Sequence, residues 1–115
     1  MTITDKAREL LADQLKTLIS GGTHKIGLGG NSTSPASTTL DVPLTVTVSD
    51  TVGKSDENVI QVKLEILGSA IQGKVIREAG LFDSSSNLLQ RINFTGVGPF
   101  SSSERLQIYL TMEVE

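Results

Sequence analysis

The stretch Ile76–Phe94, IREAGLFDSSSNLLQRINF, decides how this chain is read. Two apolar runs, Ile76–Phe82 and Leu88–Phe94, flank a polar centre of Asp83, three serines and Asn87. Asp and Asn hydrogen-bond the backbone a few residues on, so the centre predicts a tight turn and the whole a β-hairpin. Arg77 and Glu78 are adjacent in the first predicted strand and must point to opposite faces. One of the two charges is therefore inward or at an interface, where it needs a partner. The pair is the foremost candidate for a subunit contact or an internal salt bridge, with Asp83 and Asn87 as further candidate subunit contacts. Solvent on both faces of an edge strand would serve the pair equally well.

Upstream of the hairpin the period-two pattern recurs. Val59–Leu67 places Ile60, Val62, Leu64 and Ile66 on one face and Gln61, Lys63 and Glu65 on the other. Downstream, Arg105–Val114 is the cleanest alternation in the chain. Leu106, Ile108, Leu110, Met112 and Val114 are expected inward; Gln107, Tyr109, Thr111 and Glu113 are expected outward. Leu40–Ser49 also alternates and predicts a half-buried strand, interrupted early by Pro43. His24–Gly29 predicts a short strand with Ile26 and Leu28 on one face. Gly30–Thr39, Asp50–Asn58, Gly68–Gly73 and Thr95–Ser103 have turn or loop composition, and Ala70 and Ile71 are the loop residues able to pack.

The first twenty residues follow a different period. Ala7, Leu10, Leu11, Leu15, Leu18 and Ile19 recur at three- and four-residue steps, which predicts a helix from about Thr4 to Ile19 with one apolar face. Thr2 or Thr4 can cap it, Asp5 suits the positive end of its dipole, and Gly21-Gly22 end it through a left-handed backbone. The expectation is a single α+β domain spanning 1–115. A helix in 1–22 precedes a β region in 23–115, a mainly antiparallel sandwich or curled sheet of about six strands.

With 115 residues, 37% of them hydrophobic, the chain can bury one modest core. Phe82, Phe94, Phe100 and Tyr109 are its only aromatics, so that core is aliphatic and gains from oligomerisation. A net charge of −3 with scattered Lys and Arg gives no footprint for nucleic acid. No apolar run approaches a membrane span or a signal-peptide core, so a cytoplasmic product or assembly is expected. The Asn31 and Asn93 sequons carry no weight in that setting. Cysteine is absent, which excludes disulfides and thiolate metal sites.

Catalytic readings find little support. His24 has no partner at a readable spacing and reads as an ordinary polar residue at the start of a strand. Gly27-Leu28-Gly29-Gly30 is not followed by a helix, so it reads as a close backbone approach and not as a phosphate cradle. Asp83 and Asn87 lack the spacing of a calcium loop and read as turn caps. No cofactor or metal is expected.

Two stretches resemble a family of small tailed-virus proteins that form, or begin, tail fibres and collar- or baseplate-associated parts in bacteriophages and archaeal viruses. The first runs from Ile26-Gly27-Leu28-Gly29-Gly30-Asn31 through Leu40-Asp41-Val42-Pro43-Leu44 and is similar to the family's IGxGxGxTxPxxxDTxLxxxV run. The second, Arg77–Asp83 through Asn87–Arg91, is similar to its xEIGLFDxxGNLLAR hairpin. The chain departs from the pattern at Ala79, where a branched aliphatic is usual, and at Ser86, where Gly is usual. The resemblance implies a non-enzymatic virion structural protein, a tail or baseplate component or fibre-attachment adaptor. It would be assembled in the host cytoplasm as a homo-oligomer, a trimer or higher ring, that contacts other tail or baseplate proteins. Asn31–Thr39 and Asp50–Asn58 would be contact loops. No shaft or tip follows the hairpin here, so receptor recognition is not implied. A capsid decoration protein is the alternative, and a carbohydrate-binding module is disfavoured by the scarcity of aromatics.

Overall fold

The computed structural model describes residues 2–31, 34 and 36–115. Helix α1 (Asp5–Ser20) is followed by six strands: β1 (Lys25–Gly27), β2 (Ser49–Asp56), β3 (Val59–Leu67), β4 (Ile76–Phe82), β5 (Leu88–Val97) and β6 (Arg105–Glu113). All strand pairings are antiparallel. They form two three-stranded sheets, ordered β1-β4-β5 and β2-β3-β6, which do not close into a barrel. This is the expected α+β architecture.

One aliphatic core is shared by the two sheets and the helix. Ile60, Val62, Leu64 and Ile66 of β3 meet Ile26, Ile76, Ala79 and Leu81 from the β1-β4-β5 sheet, with Ala12 and Ile19 from α1. Each Ile, Leu or Val among them contributes about 1.5–3 kcal/mol when fully buried. The alternation expected in β3 and β6 is realised: the inward residues of β3 are fully buried, while Gln107, Tyr109, Thr111 and Glu113 of β6 are exposed.

Three expectations change at the residue level. Asp50–Asn58 is not a turn; most of it is β2, paired residue by residue with β3 until a bulge between Lys54 and Asp56. β2 is an edge strand in which Val52 alone among the large apolar residues packs toward the core, so its composition is that of a turn. Of the strand expected at Leu40–Ser49, by contrast, only Ser49 enters a named strand, and the rest makes just an isolated bridge from Pro43 to Gly27. Its alternation is nonetheless meaningful, because Leu44, Val46 and Val48 pack against the core as the segment crosses from β1 to the start of β2. Thr95–Val97 continues β5 and is not part of the connection.

The helix also differs in detail. Thr4 is the cap, its Oγ1 accepting from the Ala7 N–H at 3.2 Å. Gly21 ends the helix at φ −87°, in right-handed geometry, so a left-handed cap is not the reason for glycine. Gly22 is required by contact, since a Cβ there would overlap the Phe82 carbonyl. Leu10 and Leu11 lie 57% and 50% exposed, because α1 rests on the sheets along the line of Ala12 and Ile19 and the apolar arc is wider than that line. On its polar side, Asp13 meets Lys54 of β2 at 2.8 Å, a hydrogen bond that holds the Asp13 carboxyl below its ordinary range.

Candidate functional site

The two segments that carry the family resemblance lie far apart in sequence, and a single carboxylate joins them. Glu78 sits on β4 with its side chain wholly enclosed. Its Oε2 accepts from the backbone N–H groups of Gly29 at 2.9 Å and Val42 at 2.7 Å. Its Oε1 accepts from the Asp41 N–H at 2.8 Å and from the Arg91 guanidinium at 3.0 Å. Both oxygens are thus used twice, which is what a buried carboxylate requires to offset its desolvation.

Glycine makes this approach feasible. A Cβ on Gly27 would stand 2.5 Å from Glu78 Oε2 and from the Val42 carbonyl oxygen, and one on Gly29 would stand 2.8 Å from the same carboxylate oxygen. Gly30 has φ +92°, and a Cβ there would meet the Arg77 carbonyl at 2.5 Å. The Gly-rich run is therefore a close backbone approach, and what it approaches is the Arg77-Glu78 dipeptide.

Arg91, on β5, completes the arrangement. One guanidinium nitrogen bonds Glu78, Asn93 Oδ1 at 3.0 Å and Asp41 Oδ2 at 3.5 Å, and the other donates to the Thr39 carbonyl at 3.2 Å. Asp41 in turn accepts from the Asn31 N–H at 2.7 Å. Of the two roles open to the Arg77-Glu78 pair, Glu78 takes the internal ion pair, with Arg91 as partner. Arg77 is exposed, at the register shift between Ile76 and Glu78. Enclosed in this way, Glu78 offers no surface to a second copy.

Asp83 and Asn87 shape the hairpin turn. Asp83 Oδ1 accepts from the Ser85 and Asn87 N–H groups, each at 2.9 Å, and Oδ2 accepts from the Asn87 carboxamide at 2.9 Å. The Asn87 side chain, then the Asn87 and Ser85 N–H groups, hold the Asp83 carboxyl below its ordinary range. Ser86 adopts φ +63°, the left-handed conformation for which glycine is the usual residue.

His24 stands immediately before β1, as expected, and is buried. Its Nδ1 accepts from the Phe82 N–H at 3.1 Å, which fixes the tautomer with Nε2–H donating to Asp50 Oδ2 at 3.2 Å. The ring ties the end of β4 to the edge strand of the opposite sheet, and neither nitrogen is left to take a substrate proton. Among the described residues no group of three or more His, Cys, Asp or Glu is placed to hold a metal ion, and no helix is long and apolar enough to cross a membrane.

Sequence reasoning gave no role to Arg91 or Asp41, although both lie inside the quoted motifs. The available signal was the charge at Arg91, in a strand paired with the one that carries Glu78. Comparison with protein-family models, curated proteins and solved structures finds no match for this chain.

Proposed function

We propose that the chain is a non-enzymatic virion structural protein, a tail or baseplate component or fibre-attachment adaptor that assembles with copies of itself and docks on neighbouring tail proteins. The observation that carries this reading is the Glu78 junction. The Gly-rich segment and the hairpin, the two stretches that resemble the tailed-virus family, are hydrogen-bonded to each other through Glu78 and Arg91. A coincidental likeness in two unrelated surface loops would not require the three glycines of one stretch to fit the Arg77-Glu78 backbone and carboxylate of the other. Two buried polar groups with the chemistry for catalysis are also occupied. Both oxygens of Glu78 and both ring nitrogens of His24 are held by the chain itself. The function assigned is accordingly one of shape: a rigid two-sheet body that presents loops and edges to its neighbours.

The reading is tested on the particle. Gold-labelled antibody against the chain should decorate the tail end of purified virions, and the purified chain should capture the tail or baseplate proteins encoded beside its gene. Label over the capsid shell, or no label at all, overturns it.

A further inference from the structure

The sheet edges of this molecule are not equally protected. β2 carries Asp50, Lys54 and Asp56 and a bulge, and α1 lies against it. β5 carries Arg91 and Gly96, and its pairing with β4 is broken by two register shifts. These are the devices that keep an exposed edge from pairing with another chain. β6 has none of them. Its nine residues pair with β3 in unbroken register, without Gly, Pro or Lys, and its only charges are Arg105 and Glu113 at the two ends. Tyr109, at the centre, is 59% exposed.

The backbone of β6 is also set up to continue the sheet. Val114 N–H bonds the Asn58 carbonyl and the Glu104 carbonyl accepts from Gly68, so even-numbered residues turn their backbone groups toward β3. Odd-numbered residues therefore direct N–H and C=O outward. Thr111 displays this directly: its carbonyl accepts a 3.4 Å bond from the Gln90 carboxamide, reaching across from β5. The Oε1 of that carboxamide is buried without a protein partner among the described residues. Beside the edge lies an open groove of about 290 Å³ lined by Phe94, Val97, Leu106, Gln107, Ile108 and Tyr109.

We infer that β6 is the self-association edge, and that it pairs antiparallel with β6 of a second copy about a two-fold axis through Tyr109. The inference deepens the self-association part of the proposed function. Charge complementarity selects this occupant. The axis sets Arg105, which Glu65 of β3 already meets at 3.0 Å, opposite Glu113 of the second copy and Glu113 opposite its Arg105, so the two end charges of the strand face each other across the junction. Tyr109 meets its own mate in a hydrogen-bonded pair, as the outward direction of odd-numbered backbone groups requires. Gln107 faces Thr111, whose carbonyl exchanges the long Gln90 bond for a backbone donor. Inward, Leu106 meets Met112 and Ile108 meets Leu110, so the apolar face continues across the junction. The result is one six-stranded sheet, β2-β3-β6-β6-β3-β2, with the same patch on both partners.

Sedimentation equilibrium of the full chain tests this, with thermal melts confirming that each variant folds. The wild-type chain should dimerise. Arg105→Glu and Glu113→Arg should each weaken the dimer about tenfold or more, because the axis counts each reversed pair twice, and the double reversal should restore it. Tyr109→Pro, which removes an outward N–H and leaves the β3 ladder intact, should give a folded monomer. A wild-type monomer, a trimer, or a dimer indifferent to both single reversals overturns the inference. These outcomes are separable from the virion reading: a chain that docks on tail proteins as a monomer sinks only the β6 pairing. A β6-paired dimer that binds no tail protein and labels no particle does the reverse.

Discussion

Arg91 meets Glu78 at 3.0 Å from the neighbouring strand, and through that contact the hairpin grips a loop whose residues lie some fifty positions earlier in the chain. The pair is almost wholly shielded from water, so its members depend on each other more than a surface ion pair would.

Removing both members should therefore cost less than the two single losses added together. Glu78→Gln replaces an acceptor oxygen with an amide that faces backbone donors, and Arg91→Met leaves the carboxylate short of its cation. Each should destabilise the fold by about 3–5 kcal/mol, with the double variant well below the sum. Urea denaturation of the four proteins gives the cycle directly.

Glycine at the junction should be irreplaceable, and glycine elsewhere should not. Gly27→Ala and Gly29→Ala drive a methyl group into Glu78 and the Val42 or Asp41 segment, and each should cost about 1–3 kcal/mol. Gly53→Ala is the control: nothing lies within 4 Å of its Cβ position, so the change should be neutral or slightly stabilising. Melting temperatures of the three variants distinguish the sites.

The hairpin turn should titrate. The Asp83 carboxyl is held below its ordinary value of 3.8, first by the Asn87 side chain and then by the Asn87 and Ser85 N–H groups. A group depressed in the folded state binds its proton first in the unfolded chain. Its contribution is thus fully present above the ordinary value and is lost as pH falls through the lower folded value. The stability difference between the native chain and Asp83→Asn should be constant at neutral pH and shift only below about pH 4. Carbon-detected NMR titration of Asp83 checks the direction.

Ser86 pays the strain of φ +63° in that same turn. Ser86→Gly should stabilise the protein by about 1 kcal/mol, provided the Asp83 and Asn87 bonds persist. Ser86→Val, with a branched Cβ in the left-handed region, should destabilise it; chemical denaturation reads both.

Much of this fold was legible because burial alternates where strands alternate. Val59–Leu67 and Arg105–Val114 each announce both a strand and its inner face. β2 was not legible: an edge strand with one packed apolar residue, Val52, has no alternation to display, and its Gly53, Lys54 and Asp56 imitate a turn. Leu10 and Leu11 misled for a related reason, since periodicity shows which residues share a face and not how much of that face is covered. In the junction, Glu78 stood out as a charge that had to be placed somewhere. Its partners did not, because three of its four bonds come from backbone N–H groups, which leave no trace in residue identity. Glycine at 27, 29 and 30 was the nearest thing to a signature. It could be read as closeness without revealing what came close.

Gly29 and Val42 donate to the same oxygen of Glu78, so the two ends of the intervening stretch are clasped at one atom. The residue that holds both, Glu78, belongs to neither end. Such a clasp separates the length and wording of the stretch from the integrity of the fold, because lengthening a closed loop adds cost only slowly. The stretch is thereby a natural graft site: a new sequence set between Gly30 and Leu40 should be carried on an unaltered body as long as Glu78 still finds its donors.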